Sequence, residues 1–103
     1  MIAALYLRGP SWDDTHPVIV AQEGFAGHLD WVVEHRDGPF AKVVEVAPFH
    51  DPEVPFDDEL VGLALLDVES VEAARAVVEL DPLVGSGAFA YRLYEWRGKT
   101  LRR

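Results

Sequence analysis

Leu60-Val61-Gly62-Leu63-Ala64-Leu65-Leu66 is a run of seven residues without one polar side chain, and nothing else in the chain limits its fold so sharply. Its length is that of a strand rather than a helix. A half-wet antiparallel strand alternates apolar and polar residues, so a strand apolar on both sides must be covered on both sides. Ile2-Ala3-Ala4-Leu5-Tyr6-Leu7 repeats the pattern and is closed by the turn residues Gly9-Pro10.

Between these strands the period changes. From about Ala21 to Arg36 the apolar residues Phe25, Leu29, Val32 and Val33 fall at i, i+4, i+7 and i+8, which predicts one helical stripe. Gly24 and Gly27 count against it, each costing roughly 1 kcal/mol relative to Ala inside a helix. Asp37-Gly38-Pro39 stops the helix with a glycine cap and a following proline. Phe40 to Val46 is a second strand, partly wet at Lys42 and Glu45, and Pro48 through Asp58 is an acidic, proline-rich loop. After the Leu60–Leu66 strand, Ser70 is a plausible N-cap for a second helix with Val71, Ala74, Val77 and Val78 on one face, ended by Pro82. A fourth strand, Phe89 to Trp96, follows Gly85-Ser86-Gly87. The order β-α-β-β-α-β is that of an α+β, ferredoxin-like domain with an antiparallel four-stranded sheet.

That topology lays both helices on one sheet face and leaves the other bare. Burial of apolar surface is favourable by about 25 cal/mol per Å², and apolar patches of that size are rare on soluble monomers. A second copy packed sheet to sheet, through Leu5, Leu7, Leu63 and Leu65, is the simplest cover, so a homodimer is expected.

The 103 residues fit a single domain spanning 1–103, and 50% of them are hydrophobic, which favours a packed core over disorder. The absence of cysteine excludes disulfides, thiolate nucleophiles and cysteine-ligated metal. A net charge of −9 argues against nucleic acid, since the one basic cluster is the tail Arg97, Lys99, Arg102, Arg103. No apolar stretch approaches the ~20 residues that span a bilayer. A cytoplasmic protein with no membrane association is expected, requiring no metal, flavin or nucleotide.

Four histidines stand at positions 16, 28, 35 and 50. His28 and His35 share a helix face but lie about 10 Å apart along its axis, too far to hold one ion. His28 projects from the sheet-facing side of the first helix, either as a core-edge histidine satisfied by a carbonyl or as a functional group. Asp81 precedes a proline, the signature of an N-cap over a short helix at Leu83–Ser86. His50, beside Asp51 in the acidic loop, and Ser86, between two glycines, are the candidates for contact with a small-molecule ligand. Phe89, Tyr91, Tyr94 and Trp96 are packing or interface aromatics.

Three segments carry a family resemblance over nearly the whole length: Gly27-His28-Leu29 through Gly38, Leu65 through Ala74 with its Glu69-Ser70-Val71-Glu72-Ala73-Ala74 helix start, and Asp81-Pro82-Leu83-Val84-Gly85-Ser86-Gly87. In this order they resemble the YciI-like, or YCII-related, proteins. The resemblance implies a dimeric α/β-barrel of two ferredoxin-like units. It also implies a cleft lined by a histidine and an aspartate, matched here by His28 and Asp81. One family member is similar to a chlorohydroxyquinol dehydrochlorinase, a lyase that uses no cofactor. His28 would then be a catalytic general acid/base and Asp81 would fix its tautomer. The alternative is a non-catalytic homodimeric domain that binds a small molecule or a partner. Because the two helices share one sheet face, a His28–Asp81 contact, direct or through one water, is geometrically available.

Overall fold

The computed structural model describes residues 1–39, 41–49 and 60–96. Four strands form one antiparallel sheet: β1 (Ile2–Arg8), β2 (Val43–Pro48), β3 (Leu60–Leu66) and β4 (Phe89–Glu95), in the spatial order β2-β3-β1-β4. The two apolar runs are therefore neighbours at the centre, with Ile2 opposite Leu66 and Leu5 opposite Leu63. This is the ferredoxin-like α+β arrangement.

Three helices cover one face: α1 (Phe25–Val32), α2 (Val71–Val78) and the one-turn α3 (Pro82–Gly85). Beneath them Ile2, Ala4, Tyr6, Ala64 and Leu66 are almost solvent-free, packed with Ala74, Val78 and Leu83. The alternate residues Ala3, Leu5, Leu7, Leu63 and Leu65 stand on the other face and are part-exposed, and Tyr94, paired with Ala3, is 49% exposed. The register slips where Tyr6 faces Gly62 but Leu7 faces Leu60, leaving Val61 as an extra residue on β3. The bulge explains why Val61 and Gly62 are both buried in succession.

The first helix departs from its expected form. It begins at Phe25, not Ala21; Ile19–Ala21 is instead a separate 3₁₀ turn, and Val33–Asp37 continues α1 as a single π-helical turn. Gly24 is not interior to the helix but is its N-cap, at φ +97°. The apolar stripe is also rotated. Leu29 and Val33 are exposed, whereas Trp31 is buried, because its Nε1 donates to the Val77 carbonyl at 3.0 Å and ties α1 to α2. Gly38 ends the π turn in extended backbone (φ −77°, ψ 168°), not as a left-handed cap. β2 begins at Val43 and runs to Pro48, later than the expected Phe40–Val46; Phe40 lies outside the described residues.

Candidate functional site

The site depends on how closely α1 approaches the start of α3. A Cβ on Gly24 would stand 2.5 Å from the Pro82 carbonyl oxygen, and one on Gly27 would stand 2.7 Å from Pro82 Cγ. Only glycine allows that approach, so the two residues that weaken the helix in sequence are what let it dock. His28 follows Gly27, and Asp81 precedes Pro82. Docking the glycines on the proline sets imidazole against carboxylate.

A residue before proline is held out of the helical region, and Asp81 (φ −70°, ψ 121°) caps α3, its Oδ1 accepting from the Leu83 N–H at 3.0 Å. Its Oδ2 lies 2.7 Å from His28 Nδ1. Asp81 is fully buried and the His28 side chain is 12% exposed. The helix cap and the histidine partner are thus the two oxygens of one carboxylate. An ionised carboxylate only accepts, so Nδ1 carries the hydrogen and donates, leaving Nε2 as the basic nitrogen. The ring is clamped further by Trp31, stacked with centroids 5.8 Å apart, and by Phe25 at 6.3 Å.

His28 lines a cavity of about 810 Å³, within the range of small-molecule sites. Its walls come from α1 (Phe25, Leu29), from the sheet (Tyr6, Phe89), from the bulge residue Val61 and from the loop at Pro17–Val20. Gln22 holds that loop: its Oε1 accepts from Asp13 N–H at 2.7 Å and its Nε2 donates to the His16 and Val18 carbonyls at 2.9 and 3.1 Å. The Tyr6 phenol is pushed far up from its ordinary value, first by burial and then by the negative charge of Asp81, so it stays protonated.

The fold has a solved counterpart. The chain is similar to 5-chloro-2-hydroxyhydroquinone dehydrochlorinase (TftG) from Burkholderia phenoliruptrix AC1100, whose structure holds 2,5-dihydroxybenzoquinone. The TM-score is 0.64 at 20% sequence identity, covering 96% of this chain and 96% of that chain. At that identity the likeness is one of fold. No family model matches the chain, and no curated protein does.

Of the residues singled out in sequence, His28 and Asp81 meet directly. Ser86 is not among the residues lining the cavity. Its hydroxyl donates to the Glu23 carbonyl at 2.7 Å and accepts from Ala88 N–H at 3.2 Å, fastening the end of α3. His50 lies outside the described residues. His35 packs against Trp31, ring centroids 5.2 Å apart, with Nδ1 3.0 Å from the Trp31 carbonyl. Among the described residues no three His, Asp or Glu side chains gather as metal ligands, and no helix is long and apolar enough to cross a membrane. Sequence reasoning missed Tyr6, Arg8 and Trp12, which also line the cavity. A tryptophan inside an otherwise polar loop was the available signal, since something must cover it.

Proposed function

We propose that this protein is a YciI-like, single-domain enzyme that performs general acid/base chemistry, without a cofactor, on a small cyclic or aromatic compound. The reaction is of lyase, dehydrochlorinase or isomerase type. The observation that carries this reading is the 2.7 Å Asp81–His28 bond at the wall of a cavity of about 810 Å³. With Nδ1 committed to Asp81, Nε2 takes a proton from the substrate and returns it to the product or to a leaving group. Asp81 holds the tautomer and stabilises the imidazolium formed in between. The fold shared with a dehydrochlorinase adds support, as does that enzyme's capture of a six-membered dihydroxyquinone.

The working unit in this proposal is a cytoplasmic homodimer. Leu5, Leu7, Leu63 and Leu65 lie on the sheet face opposite the three helices, and a second copy removes them from water. Sedimentation equilibrium is expected to give about twice 11.5 kDa. Leu63→Glu should release or unfold the subunits by placing an unpaired charge in the interface; a monomeric wild type refutes the pairing.

The function is tested by screening hydroxylated aromatics and lactones for turnover by wild type and His28→Gln. Loss of about 10²–10⁴-fold in rate is expected for the variant. A compound bound in the cavity with no turnover by wild type would replace the enzyme with a binding domain.

A further inference from the structure

Four large apolar side chains that line the cavity are half-exposed or nearly so: Val18 (53%), Val20 (67%), Leu29 (50%) and Phe49 (49%). One such residue on a surface is ordinary. These four come from three separate segments, the loop before α1, the middle of α1 and the residue just past β2, yet all border one cavity. Apolar surface that converges in this way marks a ligand-binding site. We propose that they form a subsite for an apolar substituent, so that the site takes a ring compound carrying an alkyl or aryl group rather than a bare ring. The proposal rests on the acid/base reading of His28 for the ring and adds what lies beyond it.

The size of the cavity calls for such a group. A cavity of about 150 Å³ is enough for benzene, and this one has about 810 Å³, towards the upper end of the range for small-molecule sites. A bare ring against His28 would leave most of the walls without contacts, and unfilled space forfeits dispersion attraction.

The lining specifies the polarity of that group. The Tyr6 hydroxyl and the Trp12 indole N–H are buried, so both side chains offer the cavity ring carbon. The two arginines among its walls are paired with carboxylates, Arg36 with Asp37 and Glu45 at 3.0 and 3.1 Å and Arg8 with Asp14 at 3.5 Å. An ionised substituent would lose hydration there without an unpaired counter-charge to replace it, whereas an apolar one gains by burial. The rim is also set before any ligand arrives. Val18 and Val20 lie on the segment held by Gln22, whose Nε2 donates to the Val18 carbonyl at 3.1 Å, and the Phe49 N–H donates to the Val61 carbonyl at 3.0 Å. Preorganised walls lose little freedom on binding. The exposure of Leu29, a residue expected in the core, then has a purpose: it faces the ligand.

The subsite does not depend on turnover, so it is tested by binding. The full chain is titrated with phenol, 4-ethylphenol and 4-butylphenol, all uncharged at pH 7, by calorimetry and by NMR. Burial of one methylene tightens binding by about 4-fold. With part of the chain left wet at the rim, 4-butylphenol is expected to bind at least about 10-fold more tightly than phenol, with nuclear Overhauser contacts from its chain to the Val20 and Leu29 methyls. In the double variant Val20→Ser, Leu29→Ser the gain from phenol to 4-butylphenol should fall to about 2-fold or less. Equal binding of the two compounds, no binding of 4-butylphenol at millimolar concentration, an undiminished gain in the double variant, or the lack of those contacts in wild type overturns the proposal; only the third of these needs a variant to fold. A lower molar mass of the double variant in sedimentation equilibrium would assign the rim to a second copy and overturn it likewise. The two readings fail separately. Turnover by wild type with no gain along the series removes only the subsite, whereas a gain along the series in a protein that turns nothing over removes only the enzyme.

Discussion

The helices α1 and α2 lie on the same sheet face and are built on opposite principles. α2 obeys local rules. Ser70 caps it by accepting from Ala73 N–H at 3.1 Å, Glu72 stands in its first turn, and Ala74 and Val78 are fully buried on one side. α1 has no side-chain cap, starts from a glycine at positive φ, ends in a π turn, and leaves Leu29 50% and Val33 61% exposed. Its position comes from distant partners: Val77 for Trp31, Pro82 for the glycines and Asp81 for His28. The helix with the better local sequence stabilises the fold, and the poorer one carries the candidate site. Departures of this kind concentrate where a site imposes its own demands.

The contrast is broken most severely at Asp81. Asparagine can still cap α3 with its carbonyl oxygen, but its amide then turns a donor towards His28 Nδ1. The hydrogen must move to Nε2, which ceases to be a base. Asp81→Asn should therefore lose about 10²–10⁴-fold in turnover while keeping most of its stability, measured as rate against melting temperature. Equal losses in both would reduce Asp81 to a cap. Gly24→Val comes next. A β-branched residue at φ +97° is strained, and its Cβ would meet the Pro82 carbonyl at 2.5 Å. A loss of about 3 kcal/mol or more in urea denaturation is expected, with weakened protection of the His28 ring proton in NMR.

Of intermediate size is Tyr6→Phe. The phenol's folded-state pKa is raised above its unfolded value of ~10. Its contribution is thus fully present below pH ~10 and is lost as pH rises from there towards the folded value. Wild type should lose stability steeply between about pH 10 and 12, and the variant less so. At pH 7 the substitution should be neutral or mildly stabilising, since it deletes an unpartnered hydroxyl. Matching alkaline curves would contradict the burial of this group. Smallest is Ser70→Ala, expected to cost about 1 kcal/mol through its cap and to leave turnover unchanged. A change in turnover there would mean that α2 is coupled to the site after all.

The same contrast explains what could be read from the sequence. β3 runs from Leu60 to Leu66 as expected, and Ser70 and Asp81 cap their helices, because each signal is contained in a few adjacent residues. The start of α1 differs from the expected one because Gly24 acquires its meaning from Pro82, a residue far along the chain. Trp31 displaced Leu29 and Val33 from the core because its N–H finds a carbonyl on another helix. The His28–Asp81 meeting was anticipated from topology and resemblance. The wall residues Tyr6, Arg8 and Trp12 were not, since a strand and a loop give no sign of meeting until the fold brings them to one cavity.

The Asp81–His28 bond closes a separation of 53 residues. No stretch of chain containing only one βαβ-like half can form it, however well its own strand and helix assemble. Loop closure on that scale is cooperative, and the sheet's own pairings of Ile2 with Leu66 and with Glu95 span still more of the chain, so partly folded chains would have local helices before they had either the sheet or an oriented histidine. Recovery of activity after dilution from denaturant should therefore lag the recovery of helical signal, and two separately produced halves should regain function only on mixing.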